Sequence, residues 1–171
     1  MPAIKIEFRI DDQATRAAFR RLIRAGSHPA PLLRAFGEAL LRSTQERMSA
    51  QKAPDGSTWA PLHPWTRETK RHSKILTENP QAGLAATIRY QLDGARRVRV
   101  GSDKVYSRIH QYGGIIRPVM APALAIPRAG GGVRLVQKVT IPARPYLGIS
   151  TDDRRELQAL VGEYVHRMLR G

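Results

Sequence analysis

Apolar and polar residues alternate between Ile4 and Ile10, after which the apolar spacing becomes helical. Residues 3–10, AIKIEFRI, predict a half-buried strand because every second residue is apolar. Asp11 or Asp12 is expected to cap a first helix that ends at Gly26, and residues 31–50 predict a second helix. The apolar positions of the two helices are Ala14, Ala18, Phe19, Leu22 and Ile23, then Leu32, Leu33, Phe36, Leu40 and Met48.

Turn residues dominate the next segment. Residues 51–65 predict a loop, because proline followed by Asp55 and Gly56 is a turn sequence. Residues 66–76, TRETKRHSKIL, predict a short basic helix. The large apolar residues of the loop, which are expected to pin it onto the domain, are Trp59, Leu62 and Trp65.

Two strands and a hairpin arm are predicted further along the chain. Residues 84–92 and 96–102 predict strands joined by a turn at DGA. Residues 104–114, KVYSRIHQYGG, predict a helical turn that its two glycines close. Residues 115–141 are rich in proline, glycine and β-branched residues, and they predict an extended hairpin arm with the glycine run RAGGG near its tip.

The C-terminal part predicts an ordered irregular segment followed by a helix. Residues 142–150 form the segment, and the helix begins near Thr151, since its apolar residues recur at intervals of three and one. No stretch of about 18 apolar residues occurs, so no membrane span is predicted. The side chains expected to be buried against the sheet, within or between protomers, are Leu160, Val161, Tyr164 and Leu169.

Charge narrows the kinds of partner that the chain can have. The formal net charge is +15 and cysteine is absent, which excludes disulfides and thiolate metal sites. No acidic residue occurs between Asp103 and Asp152, although that span carries seven Lys and Arg residues. Such a region favours nucleic acid, an acidic protein surface or anionic lipid. It fits equally well a solvated surface whose balancing acids belong to a neighbouring subunit.

His110 is the residue most suggestive of catalysis or metal binding. No acidic residue lies within six positions of it, and the five histidines of the chain show no recognised metal-ligand spacing. Asp152 and Asp153 are explained by the favourable field at the start of a helix. A structural role for His110 is therefore expected, and no catalytic residue, metal or cofactor is predicted.

Four short sequences in order carry a resemblance to a known family. They are PDGSTWAPL, KILTENPQAGLAATI, YSRIHQYGG and IPARPYLGIS. In this order they resemble the phage virion morphogenesis family, the tail completion proteins of Mu-like and other long-tailed phages. The resemblance covers about residues 36–165, and the link at 76–84 is longer than is usual in the family.

The resemblance implies a structural virion protein without catalytic activity. It suggests one α+β tail-completion domain over residues 1–171, with a small antiparallel sheet packed by helices, the projecting arm at 115–141 and a C-terminal helix. It also implies a ring around the DNA channel at the head-proximal end of the tail, with a hexamer as the first expectation. The implied partners are other copies, neighbouring tail and head–tail connector proteins and, non-specifically, genomic DNA; no membrane is implied. The expected locations are the neck of the virion and, during assembly, the host cytoplasm.

The motifs and the charge pattern together single out two groups of residues. Arg144 is expected to bond backbone carbonyls or the acids of a neighbouring protomer, and the arm is expected to order chiefly on assembly. The turn motifs are Asp55, Gly56, Trp59, His110, Gln111, Tyr112, Gly113, Gly114, Pro142, Arg144, Pro145 and Tyr146. The candidate assembly or DNA contacts are Arg117, Arg128, Arg134 and Lys138.

Two alternatives stay open at this point. The first is a free, non-specific nucleic-acid-binding protein, which the net charge favours. The chain nevertheless lacks a basic recognition helix and the paired aromatics of an RNA-recognition motif. The second is a small hydrolase that uses His110, for which no partner residue is evident.

Overall fold

A computed structural model describes residues 13–70, 74–76 and 83–170. The strand predicted over residues 3–10 and the helix cap predicted at Asp11 or Asp12 lie outside this part. The predicted α+β class is confirmed. The helices are α1 Gln13–Ser27, α2 Ala30–Ala50, α3 Pro64–Thr69, α4 Ser107–Tyr112 and α5 Thr151–Arg170, with a 3₁₀ turn at Ala85–Thr87.

The strands of the described part form three antiparallel pairs. The first pair joins β1 to β2, and it confirms the predicted hairpin around DGA. The other two pairs form the predicted arm: β3 pairs with β6 at its base, and β4 pairs with β5 towards its tip. The strands are β1 Arg89–Asp93, β2 Arg97–Gly101, β3 Gly114–Ile116, β4 Leu124–Pro127, β5 Val133–Val136 and β6 Val139–Ile141.

Helix α2 packs against the β1–β2 hairpin and against α5. Its contact with the hairpin depends on Gly37, because a Cβ atom there would lie 2.3 Å from the Tyr90 ring. A larger residue would therefore force the helix away from the strands. Among its buried side chains, Met48 faces a core shared with the following loop.

The expectation that α5 buries its apolar face against the sheet is wrong within this chain. The helix packs on α1 and α2, and α2 already occupies the inner face of the β1–β2 hairpin. Leu160 and Tyr164 are half-buried, whereas Val161 and Leu169 are 40% and 43% exposed. Two helices cover only one stripe of α5, so the neighbouring stripe stays in solvent. A contact of this stripe with another protomer stays a prediction.

The core lies where the loop after α2 meets the segment before α5. Trp59 is buried at 4% exposure, as its predicted pinning role requires, while Leu62 and Trp65 are only half-buried. The buried apolar residues of this core are Met48, Ala53, Trp59, Ile75, Leu84, Ile88 and Tyr146.

Two predicted elements differ clearly from the structure. The short helix is α3, which begins two residues before the predicted 66–76 because the His63 side chain accepts a hydrogen bond from the N–H of Trp65. It ends at Thr69, and Lys70 is extended. Residues 85–87, predicted as part of a strand, form the 3₁₀ turn, in which the Thr87 hydroxyl donates to the Leu84 carbonyl. None of the helices in the described residues combines the length and apolar character needed to cross a membrane.

Candidate functional site

Three of the four motifs are joined by hydrogen bonds, and the fourth, at residues 74–88, contributes Ile75, Leu84 and Ile88 to the same core. Residues 55–62, 107–114 and 141–148 form what we call the motif cluster, and Arg144 lies at its centre. Its backbone N–H donates to the His110 carbonyl at 2.7 Å. Its guanidinium donates to the carbonyls of Ala60 and Pro61 at 2.9 and 2.8 Å. Arg144 is buried, and its bonds join all three segments through carbonyl groups of its own chain.

The side chain of Gln111 pairs with the backbone of Tyr146 and Leu147 as a neighbouring strand would. Its side-chain carbonyl accepts hydrogen bonds from the backbone N–H groups of Tyr146 and Leu147, at 3.1 and 3.0 Å. Its amide N–H donates to the carbonyl of Leu147 at 2.9 Å. One side chain therefore satisfies three backbone groups of a segment that belongs to no strand or helix, and such pairing is what backbone groups away from water require.

Two aromatic residues complete the cluster. The indole N–H of Trp59 donates to the Pro145 carbonyl at 2.8 Å. Tyr146 is 1% exposed, and its hydroxyl donates to the Ser107 carbonyl at 3.4 Å. Because both rings are buried and both polar atoms have a partner, the cluster combines apolar burial with a fixed geometry.

The turns of the motifs are closed locally. Asp55 accepts hydrogen bonds from the hydroxyl and the N–H of Ser57, which together lower the pKa of Asp55. Gly113 ends α4 with φ +71°, and a Cβ atom there would lie 2.7 Å from the backbone nitrogen of Ala143. A glycine is therefore needed at this close approach.

Other predicted members lie at the margin of the cluster. Gly114 begins β3, and Tyr112 is 73% exposed. Gly56 and Pro142 are exposed, while Pro145 is half-buried. The side chain of Tyr112 is therefore not part of the packed interior.

The structure adds an anchor that sequence reasoning missed. Arg47 on α2 forms a buried ion pair with Asp153 at 2.7 Å, and its guanidinium also donates to the Gly148 carbonyl at 3.0 Å. Asp153 accepts from the N–H of Ser150, whose hydroxyl accepts from the N–H of Asp153. Burial alone would raise the pKa of Asp153. Hydrogen bonds from Ser43, Ser150 and Arg47 lower it by more, so the pKa of Asp153 lies below its ordinary value. The spacing of Ser150 and Asp153 is that of a capping box, so the sequence contained a signal for the cap. It contained none for Arg47.

His110 lies at the edge of the cluster. Its ring meets Tyr106 edge-on, with the ring centroids 5.9 Å apart. Burial, and then the nearby Arg144, lowers the pKa of His110, so the neutral ring is favoured. Its Nδ1 is buried without a hydrogen-bond partner among the described residues. Within those residues no group of three or more histidine or acidic side chains is placed to hold a metal ion.

A cleft of about 900 Å³ lies between the cluster, the loop around α3 and the arm. Its walls include Trp65 from α3, His110 from α4 and Ile126 from β4. The guanidinium of Arg134, on β5, lies 4.1 Å from the centre of the Trp65 ring. This cation–π contact ties the arm to the body of its own chain.

The arm exposes apolar side chains on its outer face. The β4–β5 register places half-buried Ile126 and Arg134 on one face and exposed Val133 and Leu135 on the other. The first face also carries half-buried Leu124 and Val136, so the ribbon is mainly apolar on both faces, whereas a ribbon in water normally exposes a polar face. Of the predicted contact residues, Arg117, Arg128 and Lys138 are exposed, whereas Arg134 is half-buried against Trp65.

Comparison with known proteins identifies relatives over nearly the whole chain. The sequence profile of the phage virion morphogenesis family matches residues 10–166. A protein of Escherichia phage Mu with the provisional name capsid assembly protein G is 32% identical over 143 residues, which is 80% of this chain and 80% of that protein. The Mu-like prophage FluMu G protein 2 of Haemophilus influenzae is 28% identical over 166 residues, which is 96% of this chain and 99% of that protein. No solved structure matches the chain.

Proposed function

Because this chain belongs to the phage virion morphogenesis family, we propose that it completes the head-proximal end of a phage tail and helps to join tail to head. The protein is a structural component of virion assembly rather than an enzyme. The observation that carries the proposal is the arm: a hairpin rooted in a buried motif cluster, whose outer face exposes apolar side chains that a protein neighbour would cover.

A ring around the DNA channel is the assembly that we propose, with a hexamer as the first expectation. A closed ring of identical subunits needs two different surfaces that meet head to tail. Two exposed apolar groups on different elements fit that need. The first is Val119, Met120, Val133 and Leu135 of the arm, and the second is Phe19 and Ile23 of α1 with Val161, Val165 and Leu169 of α5.

The place of action is tested by electron microscopy of a phage that lacks the protein. We expect DNA-filled heads and complete tails to accumulate separately in the host cytoplasm, and the wild-type gene supplied in trans to restore joining. A failure to form heads would instead favour a role in capsid assembly, as the provisional name of the phage Mu relative states, and would overturn the proposal.

A free, non-specific nucleic-acid-binding protein is the second candidate, favoured by the net charge of +15. The two candidates differ in what Arg117, Arg128 and Lys138 do. If they bind phosphates, changing all three to glutamine flattens the salt dependence of DNA binding by about 0.9 in log–log slope for each phosphate that the variant no longer neutralises. Ring formation then survives.

If the same three residues contact protein neighbours, the triple variant fails to assemble but keeps weak DNA binding from its remaining charge. We expect this second result, because DNA covers no apolar side chain and the arm exposes several. Arg134 is left unchanged in the variant, since its stack on Trp65 would confuse the two outcomes.

A further inference from the structure

The cleft beneath the arm presents the edge of a strand. Five consecutive residues, 138–142, line it. Successive side chains of a strand point to opposite faces, so five in succession line one cleft only where the strand faces it edge-on. Among the described residues β6 pairs with β3 alone. Its second edge therefore offers backbone hydrogen-bonding groups to a further strand.

The walls of the cleft are suited to apolar side chains. Leu62 comes from the loop before α3 and Trp65 from α3. Ile75 and Leu84 belong to the apolar core, and Ile126 belongs to the arm. The volume of about 900 Å³ lies within the usual range for clefts that bury a ligand. The stack of Arg134 on Trp65 holds one wall in place. An extended peptide would thus find both a backbone partner and an apolar surface.

The charge of the lining has a single sign. Lys70, Lys138 and Arg144 line the cleft, and none of its described lining residues is acidic. His110 also lines it and adds no negative charge. The cleft therefore favours a segment that carries carboxylates and disfavours a basic one.

We propose that this cleft binds an extended, acidic segment of a different virion protein, which adds as a strand to the edge of β6 that pairs with no other strand of the described residues. This proposal rests on the proposed function, whose neighbours it describes. Alternate apolar side chains of the segment fill the cleft, and its carboxylates face the cationic lining. The arm of a second copy is a poor occupant, because no acidic residue lies between Asp103 and Asp152.

A capped octapeptide of alternating glutamate and valine tests the proposal, with alternating lysine and valine as the control peptide. We expect the acidic peptide to shift the backbone amide NMR signals of residues 138–141 in the full-length protein. The amides of β1 and β2 serve as an internal reference and should not move. No binding, or equal binding of the basic peptide, would overturn the proposal.

Matched charge reversals locate the binding. Lys138→Glu should weaken binding of the acidic peptide roughly fivefold, because it exchanges an attraction for a repulsion. Arg96→Glu makes the same change of charge at the exposed β1–β2 turn and should change affinity less than about twofold. Equal effects of the two variants would assign the binding to net charge and sink the proposal.

The two proposals fail separately. If the peptide does not bind but the phage lacking this protein still accumulates unjoined heads and tails, only the cleft proposal is wrong. If heads and tails join without the protein, the proposed function is wrong whatever the peptide does.

Discussion

The motif cluster and the arm are both rich in proline and glycine, yet they differ in where their apolar side chains lie. In the cluster Arg144, Gln111 and Trp59 turn their polar atoms inward onto backbone carbonyls and N–H groups, and Tyr146 is buried beside them. In the arm the polar Arg134 faces the body and apolar Leu135 faces solvent. The cluster is thus completed by its own chain, while the arm leaves apolar side chains in solvent.

The two regions differ in the interactions that stabilise them. A buried hydrogen bond contributes about 1 kcal/mol net, but an unpaired buried group costs about 1–3 kcal/mol, so the cluster holds only while its bonds are complete. A two-stranded ribbon is at best marginally stable in water, and apolar side chains that stay exposed add little to its stability. Single changes should therefore destabilise the cluster strongly and the arm weakly, whereas assembly should depend on the arm.

The largest expected effect is at Arg47. Arg47→Ala leaves Asp153 buried without its cation, at 3% side-chain exposure, and we expect a loss of about 3–5 kcal/mol in the free energy of unfolding. The matched control is Arg42→Ala, which removes the exposed ion pair with Glu156 between the same two helices. There we expect a loss of about 0–1 kcal/mol. Equal losses in chemical denaturation would show that the buried pair does not anchor the cluster.

A pair of glutamines compares the two regions directly. Gln111→Ala leaves the N–H groups of Tyr146 and Leu147 without their acceptor, and we expect a loss of about 2–4 kcal/mol. Gln137 in the arm also bonds a backbone carbonyl, that of Pro122, but it is exposed. Gln137→Ala should change the free energy of unfolding by about 0.5 kcal/mol or less. Similar values for the two variants would remove the distinction between cluster and arm.

Elements with a local signal could be predicted from the sequence. The apolar spacing of α2 and α5 identified both helices, and the closing glycine of α4 and the turn at DGA were read correctly because neighbouring residues determine them. The order of the motifs identified the family. It did not show how Arg144 and Gln111 connect those motifs.

What could not be predicted depends on residues far apart in the chain. Arg47 and Asp153 are 106 positions apart, and nothing in either neighbourhood specifies the other. Within this chain the partner of α5 was assigned wrongly for the same reason: periodicity shows that a helix has an apolar face, but not whether a sheet or other helices cover it. The end of α3 at Thr69 depends on the extended backbone that follows, which the basic composition of residues 66–76 did not indicate.

A smaller effect is expected from the protonation of His110. Burial, then Arg144, lowers the pKa of His110 from its ordinary 6.5, so the unfolded chain binds this proton more readily than the folded chain. Stability is therefore lost as the pH falls below about 6.5, with a slope of at most about 1.4 kcal/mol per pH unit for one proton. His110→Gln should lose less stability than the parent between about pH 7.5 and about pH 5. Parallel pH profiles would place His110 outside the buried cluster.

The smallest effect on stability, and the largest on assembly, is expected on the outer face of the arm. Val133→Ser with Leu135→Ser changes two side chains that are 56% and 68% exposed, so each should shift the free energy of unfolding of the free subunit by about 0.5 kcal/mol or less. Ring formation, followed by sedimentation, should be lost because the apolar face no longer fits a neighbour. Val105→Ser, at a side chain that is 97% exposed outside the arm, is the control and should assemble normally. If the arm variant assembles like the control, the apolar face has no part in joining subunits. If it unfolds like Arg47→Ala, the arm belongs to the same cooperative structure as the cluster, and the contrast between the two regions fails.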